Sequence, residues 1–152
     1  MNMTQSEHRS GPGLATALRI SVSRLARRLR VERAAAALGE PDLSETQLAA
    51  LATLERHGPM TPGELAEHEK VQPPSMTRVI SALVELQLVR REPHPSDRRQ
   101  VVLTATDTGR DLVIRARRRR EAWLAQRLKD LSPAERAALR EAAPILEKLS
   151  QA

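Results

Sequence analysis

The sequence predicts a mainly α fold, with six helices and one pair of β-strands in the order α-α-α-α-β-β-α-α. Three observations predict it. Apolar residues recur at spacings of three and four along much of the chain. Three segments open with the same helix-starting device, a hydroxyl residue followed three positions later by Glu or Gln. Finally, Leu, Val, Ile and Ala must build the core, because the chain has one Trp (Trp123) and no Phe or Tyr. That composition disfavours a large β-sandwich, which draws on aromatic strand residues.

The elements follow in order. Residues 1–12 are small and polar, with Gly11-Pro12-Gly13 as a breaker, and are expected to form a disordered tail. From Leu14, the stripe Leu18, Val22, Leu25 and Leu29 predicts a long helix running to about Leu38, stopped by Gly39 and Pro41. Ser44-Glu-Thr-Gln47 opens a helix over 44–57 that ends at His57-Gly58-Pro59. Thr61-Pro-Gly-Glu64 opens another over 61–70, and Ser132-Pro-Ala-Glu135 a last one over 133–150. Both place Pro at the first helical position, where its missing N–H costs nothing. Pro144 should kink the last helix.

Between these, Val71-Gln72 is a short turn. A helix starting near Pro74 would carry Met76, Val79, Ile80, Leu83 and Leu86 inward, leaving Ser75, Thr77, Arg78 and Ser81 on other faces. Two short helices joined by such a turn, the second opening with small hydrogen-bonding residues, form a helix-turn-helix pattern. The period then changes. Leu88-Val89-Arg90-Arg91 and Gln100-Val101-Val102-Leu103 are β-prone and flank Glu92-Pro-His-Pro-Ser-Asp-Arg-Arg99, too Pro-rich for a helix. Two strands with a basic loop directly after a helix-turn-helix make a wing. A long helix follows, from about Thr106 to Lys129.

The formal net charge is +6, and it is localised: residues 90–120 hold ten Arg against four acids, while the remaining segments cancel. A one-sided excess implies an anionic partner. The alternative is a coding bias, since only three basic residues are Lys and the chain is Ala-rich. The cluster Arg115 to Arg120 spreads over more than one helical turn, cannot all face one partner, and reads as a solvated face. Cysteine is absent, which excludes disulfides and thiolate chemistry. The four histidines (His8, His57, His68 and His94) show no metal-binding spacing, so no metal is expected. No nucleophile elbow, phosphate loop or paired-carboxylate signature is present, so an enzyme is not expected. No apolar run is long enough to span a bilayer and the N-terminus lacks a signal-peptide core, which predicts a cytoplasmic protein.

In these features the sequence resembles the MarR family of bacterial regulators. The resemblance is carried by Leu43-Ser44-Glu-Thr-Gln47, Met60-Thr61-Pro-Gly-Glu64-Leu65-Ala66, Ser75-Met76-Thr77-Arg78, Leu83, Leu88-Val89-Arg90-Arg91, Asp97-Arg98-Arg99, and Leu103-Thr104 through Gly109. The Asp-Arg-Arg and Leu-Thr…Gly spacing is its most specific part. Gln87 departs from the pattern, standing where the family usually has Gly before the first wing strand, and Pro144 is also unusual.

The resemblance implies that the helix near Pro74 enters the major groove of duplex DNA. Ser75, Thr77 and Arg78 are then the candidates for base edges, with Gln72 and Pro73 close to the backbone. The alternative readings are Ser75 as a local cap and Arg78 as a solvated residue paired with an acid. It also implies an Asp97–Arg99 pair that braces the wing and aims an arginine into the minor groove. Arg98 and Arg99 are both candidates, Arg99 being preferred, with Arg98 nearer phosphate. Residues 41–105 would be the DNA-binding region, and 13–40 with 106–152 the dimerisation helices of a homodimer on a palindromic operator. Family members often release DNA when a small aromatic or phenolic anion binds. On the last long helix but one, Arg119 or Arg120 interrupts an apolar stripe beside Trp123 and is the candidate receptor for such an effector; the alternative is a snorkelling arginine. The expected function is a sequence-specific transcriptional repressor without a cofactor, the alternative an architectural DNA-binding protein lacking sequence preference.

Overall fold

The computed structural model describes residues 12–36 and 39–152. Its elements are α1 (Pro12–Ala36), α2 (Glu45–His57), α3 (Pro62–His68), α4 (Pro73–Glu85), β1 (Val89–Pro93), β2 (Val101–Ala105), α5 (Asp107–Leu128) and α6 (Pro133–Ser150). The expected tail over 1–12 lies outside the described residues except for Pro12, which is helical. The sequence reads Pro12 as part of a breaker; proline, whose φ is fixed near the helical value, is also suited to a first helical position. The expected helix end at Leu38 also lies outside the described residues.

The three hydroxyl-led helix starts share one construction. In α2 the Ser44 hydroxyl accepts from Gln47 N at 3.1 Å while Gln47 Oε1 accepts from Ser44 N at 2.9 Å. Thr61 with Glu64 and Ser132 with Glu135 do the same for α3 and α6. In each, two donors that the helix leaves unpaired are satisfied reciprocally. Both glutamates are held below the ordinary carboxylate value by these hydrogen bonds, the backbone one foremost; His94 adds a smaller electrostatic pull on Glu64. α2 ends at Gly58, whose φ of 82° lies in a region open to glycine at little cost.

The described residues group into two compact units, one spanning 36–118 and the other joining the N-terminal helix to 119–152. The first holds the core. Leu51, Leu65, Met76, Leu83, Leu88, Leu103 and Val113 are fully buried there. On α4, Met76, Ile80 and Leu83 face inward and Val79 is half-buried, whereas Leu86, expected inside, is 41% exposed. The reason is local: the helix ends at Glu85, so Leu86 sits in the turn and leaves the apolar stripe. Gln87 then adopts a left-handed conformation (φ 58°), the geometry a Gly would take without strain.

β1 and β2 pair antiparallel, from Val89 opposite Ala105 to Pro93 opposite Val101. A third piece of backbone joins them. Met60 lies across from Leu103, its N–H donating to Leu103 O at 3.2 Å and its O accepting from Leu103 N at 2.7 Å. Thr106 ties the far end of the hairpin to α5, its hydroxyl donating to Gln87 O at 2.7 Å and accepting from Gly109 N at 3.1 Å.

In the second unit, α6 continues as helix on both sides of Pro144. Leu18 and Val22 of α1, with Leu146 and Leu149 of α6, line an open groove of about 350 Å³.

Candidate nucleic-acid interface

Helices α3 and α4, joined by a short turn, with the β1–β2 hairpin following, form a winged helix-turn-helix. α4 packs on α2, α3 and β1, and its buried face fixes which side chains are left outward. Gln72 is the N-cap of α4 but makes no side-chain capping bond, and Pro73 occupies the first helical position; both are exposed. Ser75 is also exposed. The capping position belongs to Gln72, so the reading of Ser75 as a cap does not apply, and its hydroxyl has no partner among the described residues. Thr77 donates back to Pro73 O at 3.0 Å, leaving its oxygen lone pairs outward. Arg78 is exposed and pairs with no acid among the described residues.

The wing loop is stiffened by its own side chains. His94 Nδ1 accepts from Ser96 N at 3.2 Å and Asp97 N at 3.3 Å, and His94 N donates to Gln100 O at 3.1 Å. Asp97 Oδ1 accepts from Arg99 N at 3.1 Å and from Arg99 Nε at 3.3 Å. That tether uses one of the guanidinium donors and leaves both terminal NH₂ groups outward; the Arg99 side chain is 92% exposed and Asp97 33%. Arg98 is exposed beside it, in a recess shared with Pro93, His94 and Pro95. Arg90 is occupied differently, its Nε held by Glu92 Oε1 at 2.9 Å.

α5 carries the remaining candidates. Arg119, Arg120 and Trp123 are all half-buried. Trp123 Nε1 is buried and has no hydrogen-bond partner among the described residues. Two cations not singled out by sequence flank the ring, Arg28 at 5.9 Å and Arg127 at 5.4 Å from its centroid. Earlier on α5, the basic cluster is not merely a solvated face. Arg115 Nε pairs with Glu40 at 2.8 Å and Arg117 with Glu55 at 3.0 Å, fastening α5 to the α2 region. Charge alone had hidden this, since both acids lie far away in sequence. Two further contacts were also invisible in the sequence. Arg91 of β1 reaches Ser81 of α4 at 3.4 Å. His57 and His68, at the ends of α2 and α3, bring their ring centroids to 4.9 Å. Among the described residues, no group of three or more His, Asp or Glu is placed to hold a metal ion, and no helix is long and apolar enough to cross a membrane.

Comparison with known proteins agrees with this geometry. Residues 43–101 match the model of the MarR family. An uncharacterised HTH-type transcriptional regulator of Mycobacterium leprae is 46% identical over 136 residues, covering 90% of this chain and 92% of that protein. The HTH-type transcriptional repressor MdtR of Bacillus subtilis is 33% identical over 72% of this chain and 69% of its own length. Wild-type MarR of E. coli, in its apo form, superposes with a TM-score of 0.71 at 25% identity, covering 90% of this chain and 96% of that one. Members of the family are transcriptional regulators rather than enzymes, and they bind DNA as dimers. This chain belongs to the MarR family and is a DNA-binding transcriptional regulator of the helix-turn-helix type.

Proposed function

We propose that this regulator is a cytoplasmic repressor that reads a palindromic operator as a homodimer and is released by a small aromatic or phenolic anion. The observation that carries the DNA-binding mode is the Arg99 side chain. It is 92% exposed yet tethered by Asp97, so it projects as a preorganised cation from a stiffened loop. A narrow A·T-rich minor groove concentrates negative potential and attracts such a side chain. Arg98 lies beside it for a phosphate. α4 enters the adjacent major groove, where Ser75, Thr77 and Arg78 meet base edges and Gln72 and Pro73 approach the backbone.

Residues 41–105 then form the DNA-binding region and 13–40 with 106–152 the dimerisation helices. The apolar groove of Leu18, Val22, Leu146 and Leu149 supports this assignment, because exposed apolar surface of that kind is covered by a second copy. A two-fold dimer presents two copies of α4 to half-sites about 10 bp apart. Repression is supported by the name of the B. subtilis relative. An effector site at Arg119, Arg120 and Trp123 is supported by the unsatisfied indole N–H and by the cations over the indole ring, which suit an aromatic anion.

Selection of bound duplexes from a random library at near-physiological salt tests this reading. Wild type enriches an imperfect palindrome, and Arg99→Ala and Arg78→Ala both weaken its binding. Binding without any enriched sequence would instead mark an architectural protein.

A further inference from the structure

Four arginines surround the base and tip of the wing: Arg90, Arg91, Arg98 and Arg99. Glu92 matches Arg90 at 2.9 Å and Asp97 matches Arg99 at 3.3 Å. Arg91 differs from both. It has no carboxylate partner among the described residues, and its place on the strand sends it another way. Side chains alternate along a strand, so Arg91 shares the face of Val89, which is buried in the core to which α4 contributes. The guanidinium crosses to α4 and its Nη2 donates to Ser81 Oγ at 3.4 Å. Ser81 is exposed, one helical turn beyond Thr77.

This contact leaves both partners able to bind something else. A hydroxyl oxygen that accepts from a guanidinium keeps its own hydrogen to donate, and is polarised toward donating it. The guanidinium has donors to spare and retains its full charge, because its partner is neutral. A charged donor and a neutral donor therefore stand side by side where α4 meets the wing. The geometry points to a phosphate clamp: Arg91 and Ser81 together hold one backbone phosphate of the duplex, between the groove entered by α4 and the groove entered by the wing. The clamp rests on the DNA-binding mode proposed above. It fixes how far α4 and the wing tip can shift along the duplex, while carrying no base information itself.

Titration of full-length protein against two duplexes, the selected operator and a random sequence of equal length, tests the clamp between about 50 and 200 mM salt. Arg91→Gln removes the charge in both subunits of a dimer, so the slope of log affinity against log salt becomes shallower by roughly 2. The loss falls on both duplexes alike, so their affinity ratio is preserved. Ser81→Ala weakens both duplexes at an unchanged slope, since it removes a neutral donor. Arg91→Lys keeps the slope but not the full affinity, because it keeps the charge and loses the fork. Thermal melting alongside shows that each variant is folded. A wild-type slope in Arg91→Gln, or a loss confined to the operator, would overturn the clamp while leaving the DNA-binding mode intact. Failure of wild type to bind either duplex would overturn both.

Discussion

Gly109 offers the sharpest test of how the wing is seated. It lies in the first turn of α5, directly beneath the start of β1. A Cβ built there would stand 2.2 Å from Leu88 O and 3.1 Å from both Leu88 C and Leu51 Cδ1. The obstruction is backbone, and Leu88 O already accepts from Thr106 N at 3.0 Å, so no side-chain rotation relieves it. Gly109→Ala thus forces the head of β1 off α5. Overpacking in a well-filled core costs about 1–3 kcal/mol, and a backbone obstruction places this case toward the upper end. Replacing a helical Gly returns up to about 1 kcal/mol in chain entropy. The net is about 2 kcal/mol of destabilisation, or roughly 4–8 °C in Tm for a chain of this size. Gly63→Ala is the matched control: nothing lies within 4 Å of its Cβ, and it should be neutral or slightly stabilising. Thermal and urea unfolding at equal protein concentration measure both, since a dimer's stability depends on concentration. A Gly109→Ala variant melting at or above wild type would refute the packing argument.

Other perturbations have equally definite outcomes. Asp97→Asn keeps the shape of the wing but weakens the tether on Arg99; because the pair is largely exposed, operator affinity should fall by no more than about fivefold in Kd for each wing, or roughly thirtyfold for a dimer engaging two. Glu64 and Glu135 have folded pKa values lowered by their caps, so the stability they contribute is present above the ordinary carboxylate value of 4.5 and is lost as pH falls through the folded value. Acid titration of Tm should show this loss below that point, and the double variant Glu64→Gln, Glu135→Gln should flatten it, since Gln47 already serves the same cap without a charge. Pro144→Ala restores an N–H for the Arg140 carbonyl inside α6 and should raise Tm, by an amount equivalent to no more than about 3 kcal/mol.

How much was legible in the sequence depended on the range of the interaction. Capping boxes act over three residues, so the starts of α2, α3 and α6 could be placed from Ser44, Thr61 and Ser132 alone. The α4 stripe of Met76, Ile80 and Leu83 was visible for the same reason, and Leu86 failed because periodicity does not reveal where a helix stops. Asp97 and Arg99 are near neighbours on one loop, so their pairing could be anticipated from spacing together with the family resemblance. Contacts between distant residues left no such trace. Nothing in the spacing links Arg117 to Glu55, Arg115 to Glu40 or Arg91 to Ser81. Met60 contributes a single residue to the sheet, too little for any strand pattern, and lies between Pro59 and the Thr61 cap.

That single residue has a mechanical consequence. Leu103 is hydrogen-bonded through Met60 on one side and stands opposite Arg91 on the other, so the middle of the hairpin is gripped from two directions. The grip cannot lengthen, because the next positions able to extend the bridge are Gly58, whose N–H already donates to Leu54 O at 3.0 Å, and Pro62, which has no N–H. The hairpin therefore behaves as a lever with a fixed fulcrum at Leu103 and a free end at residues 95–99. In the DNA-binding mode proposed above, a push on the wing tip would act through this fulcrum on the head of α3. Amide exchange would display the division directly, with Met60 and Leu103 protected together and the tip exchanging far ahead of them.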